Sequence, residues 1–306
     1  MGLAAILVCL LAQHTYPVSG RGPVMEFYGR MCLSAAKRMN AGDRNSGILA
    51  WIALMGAVLV PVILASVLAA AAHPAVLWLL DVVFLYTTVR FVPTARALNA
   101  IERALREQNV ASALNVLSQW QGEPAGADDA SSLARLSAEQ ALREAHYGTF
   151  GPLFWFLVLP GPVGLVIYPL ALRAARTWER VVEADEREFG WFAARAFHAI
   201  DWIPQRVSAF FFAVVGNFED ALFCWRSQAA AWLQPEEGIV LASGAGALGV
   251  KLGDAIVASG ATIPRPALGT GEPAGEEVLA SLEGMLWRAM TLWLIVFALA
   301  AALQLA

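Results

Sequence analysis

The sequence predicts an all-α, polytopic integral membrane protein, and three observations carry that reading. Apolar residues make up 58% of the 306-residue chain and charged residues only 15%, against roughly 25% charged in an average soluble domain. The mean hydropathy is +0.57. Several apolar runs approach or exceed the ~20 residues of a spanning helix, and the polar stretches between them carry helical periodicity. The composition thus names the lipid bilayer as a partner. Net charge is -4 and the basic residues are dispersed, so no nucleic-acid partner is expected. Cys9, Cys32 and Cys224 stand far apart with no CxxC, a spacing that indicates neither a zinc site nor a disulfide framework.

Residues 1–12 (MGLAAILVCLLA) have the apolar core of a signal peptide but no Lys or Arg ahead of it. A short retained membrane helix is expected, with cleavage as the alternative. Myristoylation at Gly2 is not expected, because Ile6 stands where that motif needs Ser or Thr. The segment 14–46 carries Arg21, Arg30, Lys37, Arg38 and Arg44 against Glu26 and Asp43, a basic excess that argues for the cytoplasmic side. Residues 47–92 form two membrane helices separated by His73 and Pro74. Asp81 interrupts the second; an intramembrane carboxylate is a functional candidate, and a solvated helix end is the equal reading.

Residues 93–149 return the chain to the cytoplasm as amphipathic helices. Leu98, Ile101 and Leu105 fall at helical spacing opposite a Glu102–Arg106 pair, predicting a helix over 94–107. Asn109 caps a second helix with Val110, Leu114 and Leu117 apolar. Residues 122–129 (GEPAGADD) read as a loop, and Ser131 or Ser132 caps a helix running to about Tyr147.

Residues 150–172 open the block FGPLFWFLVLPGPVGLVIYPLALRAAR, which ends at Arg176. Proline removes a backbone donor and clashes with the preceding turn, so Pro160-Gly161-Pro162 breaks the run in its middle. Arginines stand on both sides: Arg96, Arg103, Arg106, Arg135 and Arg143 before it, Arg173, Arg176, Arg180, Arg187 and Arg195 after it. If both groups are cytoplasmic, the segment enters and leaves on one side as a broken membrane hairpin; a single crossing is the alternative. The arms are too short to cross a bilayer alone.

Residues 173–206 read as cytoplasmic helices ending near Pro204, and 207–258 as short membrane and amphipathic segments. Residues 259–277 hold Gly260, Pro264, Pro266, Gly269, Gly271, Pro273 and Gly275, a flexible loop by composition. Residues 285–305 close the chain as a spanning helix. No repeated unit appears, which disfavours a transporter.

Gly244, Gly246 and Gly249 fit GxGxxG, but the dinucleotide fingerprint needs a strand before it and a βαβ unit around it. Gly249 and Gly253, spaced GxxxG, read instead as a close helix contact in lipid. Glu139, Arg143 and His146 stand at i, i+4 and i+7, where a carboxylate, a guanidinium and an imidazole on one face bind an anion or move a proton; an ordinary solvated face is the bland reading. Arg195, His198 and Asp201 gather before Trp202-Ile203-Pro204-Gln205-Arg206, as a second wall of that site or as an interfacial anchor. No catalytic triad, Walker A loop or metal-ligand spacing can be built.

Gly151-Pro152-Leu153-Phe154, Gly190 with Ala194-Arg195, Pro204 with Arg206, and AGALGVKLG at 245–253 together resemble the CobD/CbiB and AmpE superfamily of bacterial inner-membrane proteins. The resemblance covers most of the chain. It implies a multi-pass protein of the bacterial inner membrane. In the CobD/CbiB branch it implies adenosylcobinamide-phosphate synthase, a ligase of cobalamin biosynthesis that joins aminopropanol phosphate to adenosylcobyric acid with Mg-ATP. The AmpE branch is linked to β-lactamase induction and envelope sensing.

Against the synthase pattern E-x-x-A-E-N-x-x-D-G this chain keeps Glu139 and Gly148, while Arg143 and Tyr147 replace the inner acid and the Asp. N-T-L-D-S-M has become Arg173-Ala174-Ala175-Arg176-Thr177-Trp178, a later acidic pair has become Phe197 and His198, and a GRDTS-like loop has become residues 122–126. An arginine cannot ligate a cation, whereas Mg-ATP chemistry needs carboxylates. Pro152-Leu153-Phe154-Trp155, Leu172-Arg173-Ala174 and Asp201-Trp202-x-Pro204-x-Arg206 look closer to AmpE. The expectation is an AmpE-like sensory or binding protein, non-enzymatic and without cofactor, with the synthase and its Mg-ATP as the alternative. Arg143, Arg173, Arg176 and Arg206 are expected to form a basic rim for an anionic small molecule. Glu139, His146, Arg173 and His198 are expected to converge on one cytoplasm-facing cavity.

Overall fold

The computed structural model describes residues 2–16, 22–127, 129–181, 187–258 and 261–303. Arg21, Asp128, Gly260 and the end of the C-terminal span lie outside them. The fold is all-α in class with a small β addition, and it divides into two compact units. One comprises Met1–Val89, Gly151–Trp202 and Ala301–Ala306, the other Arg90–Phe150 and Ile203–Ala300. Among the described residues, three helical stretches are long and apolar enough to cross a membrane: Arg44–Ala72, Pro74–Arg106 and Glu277–Leu303. The chain is a membrane protein.

The first unit opens with α1 (Gly2–Thr15), α2 (Gly22–Met39), α3 (Arg44–Ala72) and α4 (Pro74–Thr88). Asp43 starts α3 by accepting from Ser46 N at 3.1 Å, satisfying one of the donors that every helix start leaves open. His73 ends α3 and begins α4, where its Nδ1 accepts from Ala75 N at 3.1 Å, and Pro74 occupies the first turn, where its missing donor is harmless. The chain then re-enters this unit as α8 (Gly151–Val158) and α9 (Val163–Val181). The break between them falls at residues 159–162, with Gly161 left-handed at φ +61°. Tyr28, Cys32, Leu54, Val166, Leu170 and Trp178 form the core of this unit, and Trp178 Nε1 donates to Cys32 O at 2.9 Å. Thr88 Oγ1 donates to Leu165 O at 3.4 Å, while Gly161 lies against Leu77 and Asp81; α9 therefore runs along α4 in the same direction.

The second unit contains α5 (Phe91–Arg106), α6 (Val110–Gln121) and α7 (Ala130–Ala145). Leu98, Ile101 and Leu105 are buried, Arg106 and Glu102 pair at 2.6 Å, and Asn109 caps α6 through Ser112 N. The cap of α7 differs from the expectation: Asp129 is the capping residue, and Ser132 is the third residue that bonds back to it. Asp wins because its carboxylate accepts from Ser132 N at 2.7 Å while the Ser132 hydroxyl serves Asp129 in return, the reciprocal arrangement of a capping box.

Residues 187–215 form one helix, α10 (Arg187–Val215), that runs through Pro204 rather than ending there. A proline inside a helix costs about 3 kcal/mol, and the apolar flanks, with Ala209, Phe212 and Ala213 buried, offset it. Helices α11 (Phe218–Gln228), α12 (Pro235–Leu248) and α13 (Glu277–Leu303) follow.

The segment 259–277, read as a flexible loop, carries three short strands, and two more lie just before it, at the end of the stretch read as membrane and amphipathic segments. β1 (Val250–Gly253) pairs antiparallel with β4 (Ala267–Gly269) and parallel with β5 (Glu272–Pro273), and β2 (Ile256–Ala258) pairs with β3 (Ala261–Ile263). The glycines at its turns are left-handed, Gly253 at φ +79° and Gly269 at φ +93°, so they permit the reversals of a sheet rather than marking slack chain. The GxxxG reading is corrected by the same geometry. Gly249 ends α12 at φ +67° and Gly253 ends β1, so neither lies on a helix interface; Gly244 against Leu142 and Gly246 against the backbone of Asp220 and Ala221 make the close contacts.

Candidate functional site

The densest set of buried charges lies where α7, α12 and the strand segment meet within the second unit. Glu139 is 0% exposed, and both of its oxygens are engaged. Oε1 accepts from Gly253 N at 3.0 Å and Arg265 Nη2 at 3.1 Å; Oε2 accepts from Arg265 Nη1 at 2.7 Å and Arg143 Nη2 at 3.2 Å. Arg143 turns its Nε to Glu237 Oε1 at 2.6 Å, which also accepts from Trp232 Nε1 at 3.3 Å. Arg265 lies over the Trp232 ring, 5.2 Å from its centroid, and donates Nε to Asp254 O at 3.0 Å. Two carboxylates thus meet two guanidinium groups, and the cluster is neutral.

Burial is the largest influence on Arg143 and favours its neutral form. Glu237 and then Glu139 outweigh it and hold the guanidinium above its ordinary range. The i, i+4 spacing on α7 places Glu139 and Arg143 on one face, and the left-handed Gly253 aims its N–H at the acid. The paired fork of Arg265 supplies the bidentate geometry that a buried carboxylate requires.

Arg143 is therefore not part of a basic rim: its side chain is only 21% exposed and bonds two carboxylates. His146 closes α7 and has a different partner. It begins a π turn over His146–Phe150, is fully buried, and its Nδ1 lies 2.9 Å from Ser208 Oγ on α10. Gly148 accepts at its carbonyl from Arg90 N at 2.9 Å, beside an Arg90–Glu144 ion pair at 3.3 Å. Arg206, half-buried, also lies in this unit.

The remaining candidates, Arg173, Arg176, Arg195, His198 and Asp201, lie in the first unit. Arg173 is half-buried with its guanidinium against Gly29, while Arg176, Arg195 and His198 are exposed. Asp201 is buried and accepts from the Tyr168 hydroxyl at 2.7 Å. Gly151 makes that bond sterically feasible, because a Cβ at this position would collide with the Tyr168 ring. The structure thus joins Glu139 to Arg143 and His146 to Ser208 in the second unit, and Asp201 to Tyr168 in the first.

Sequence reasoning missed Arg265, Glu237 and Trp232. The available signal was Pro264-Arg265-Pro266, a lone arginine held between two prolines in a segment otherwise poor in charge. Among the described residues no group of three or more His, Cys, Asp and Glu is placed to hold a metal ion.

A family model described as "CobD/Cbib protein" matches residues 2–286. The chain is 32% identical over 296 residues to "Cobalamin biosynthesis protein CobD" of Stutzerimonas stutzeri (strain A1501), covering 96% of this chain and 94% of that one. It is 33% identical over 248 residues to the protein of the same description from Chromobacterium violaceum, with 78% of each covered. It is 25% identical over 299 residues to "Cobalamin biosynthesis protein CbiB" of Salmonella choleraesuis (strain SC-B67), covering 93% and 91%. No solved structure matches.

Proposed function

The chain belongs to the CobD/CbiB family, and from that premise we propose an inner-membrane protein with a sensory or binding role, in which the synthase chemistry has been given up. One observation carries this reading. Glu139, the acid kept from the synthase pattern, is fully buried and spends both oxygens on Arg265, Arg143 and Gly253. Offering it to Mg²⁺ would strand the buried Arg265 guanidinium and take from Arg143 one of its two carboxylates, a costly exchange. Arginine at 143 turns a position that carries an acid in the synthase pattern into part of that closed cluster. Exposed Arg176 and Arg195 leave basic surface suited to an anionic small molecule. The hairpin of α8 and α9 enters from the cytoplasmic side, which keeps the arginines before and after it in the cytoplasm.

A second reading is adenosylcobinamide-phosphate synthase. It is favoured by the length of the likeness, since relatives named for cobalamin biosynthesis align along nearly the whole chain. One experiment separates the two. The gene is placed in a bacterial strain that lacks its own synthase, and growth that depends on cobalamin is measured with cobyric acid supplied. No growth is expected; restored growth, lost again on Glu139→Gln, would establish the synthase and overturn the first reading.

A further inference from the structure

In the first unit, Ser66 of α3, Asp81 of α4 and the turn at 159–162 come together. Asp81 is only 9% exposed, and its Oδ1 has no hydrogen-bond partner. That oxygen and Ser66 Oγ lie 3.8 and 3.7 Å from the place a Cβ would take on Gly161. Ser66 already donates its hydroxyl to Val62 O at 2.7 Å, so toward Asp81 its oxygen retains acceptor capacity only. Pro160 and Pro162 have no N–H to give to the acid or to the carbonyls that end α8. Nor does Asp81 Oδ1 take a donor from the start of α9 at Val163. Asp81 Oδ1 and Ser66 Oγ thus both face the turn as acceptors.

Asp81 stands seven residues into α4, about 10 Å along the helix axis, within a stretch apolar enough to span a membrane. An ionised, unpaired carboxylate carries a heavy desolvation penalty there. The helices packed on α4 are α1, α2, α3 and α9. Their charged groups are His14, which follows the Gln13 that anchors α1 to Tyr86 and Val89 at the far end of α4; Glu26, Arg30, Lys37 and Arg38 on α2; Arg44 at the distant start of α3; and Arg173, Arg176, Glu179 and Arg180 late in α9.

We propose that Asp81, Ser66 and the Pro160-Gly161-Pro162 turn form an intramembrane site for one monovalent cation, a sodium ion or a proton. One carboxylate with neutral oxygens matches a single charge, whereas a divalent ion calls for more acids. Interrupted membrane segments, whose ends expose backbone carbonyls, are where such ions are held. The site does not depend on which reading of the cytoplasmic face is correct.

The test uses the full chain in lipid nanodiscs. Apparent melting is followed against NaCl, with choline chloride holding ionic strength at pH 9, and against pH without sodium. A ligand that binds only the folded state raises its stability, so the wild type is expected to gain several degrees with sodium, with falling pH, or with both. Asp81→Asn, close to isosteric, should lose that gain. Ser66→Ala should raise the sodium midpoint about tenfold if sodium is the occupant and leave a proton response unchanged. A wild type indifferent to both ions, or an Asp81→Asn protein that keeps the full response, overturns the proposal. Should Asp81→Asn not fold, radiosodium binding and the infrared band of a protonated carboxyl in the wild type decide the matter, and absence of both is refuting.

Discussion

Replacing Arg265 by methionine should destabilise the protein by about 3 kcal/mol, the lower end of the cost of breaking a buried ion pair. Glu139 would lose two of its four donors and keep Arg143 Nη2 and Gly253 N, which is why the lower end applies. Methionine keeps an unbranched apolar stem of similar bulk, so the loss is chiefly electrostatic: the ion pair with Glu139 and the guanidinium's place over the Trp232 ring. At roughly 2–4 °C per kcal/mol for a chain of this size, the apparent melting temperature in detergent should fall by about 6–12 °C. The paired variant Glu139→Leu with Arg265→Met removes one charge of each sign and leaves Arg143 with Glu237. Its destabilisation should be far smaller than the sum of the single changes, because an apolar replacement of a whole buried pair is often close to neutral. A double-mutant cycle on melting temperature or urea midpoint reads this coupling directly. If Arg265→Met shifts stability by less than about 0.5 kcal/mol, as an ordinary surface change does, or if the two changes simply add, the neutral-cluster argument is wrong.

Four further outcomes follow from local geometry. Asp129→Ala should cost about 1 kcal/mol by removing the cap of α7. Ser132 holds the Asp129 carboxyl below its usual range through hydroxyl and N–H bonds, so the cap contribution is present above the unfolded value near 4 and is lost as pH falls through the folded one; acid titration of the melting curve checks the sign. Burial pushes the Cys32 thiol up to about 12, so maleimide at pH 8 should label Cys32 only after denaturation, as peptide mapping would reveal. Gly249→Ala forces a side chain into a left-handed cap and should cost about 1 kcal/mol in the same melting assay. Tyr168→Phe leaves buried Asp201 without its hydroxyl donor and should cost about 1–3 kcal/mol, whereas an unchanged melting temperature would mean that the bond carries no weight.

The amphipathic helix α5 shows what local pattern can specify. Its apolar residues recur at the helical period, and Leu98, Ile101 and Leu105 are all buried. The break at Pro160-Gly161-Pro162 was legible for an equally local reason, since proline chemistry acts within one turn. The course of α10 through Pro204 was not legible, because tertiary packing of its flanks offsets a local penalty. The strands within 250–273 escaped notice because their glycines and prolines resemble those of a loop until pairing across the segment gives them partners.

By itself the sequence determined membrane residence, helical class, the cap at Asn109 and the family. Hydropathy, period and motif are properties of neighbouring residues. Only the tertiary structure decided what the polar residues do. Arg265 reaches Glu139 across a separation of 126 residues, and Ser208 meets His146 across 62. Such partners are chosen by the cost of leaving a buried charge or donor unpaired, a cost that exists only once the chain has closed around it.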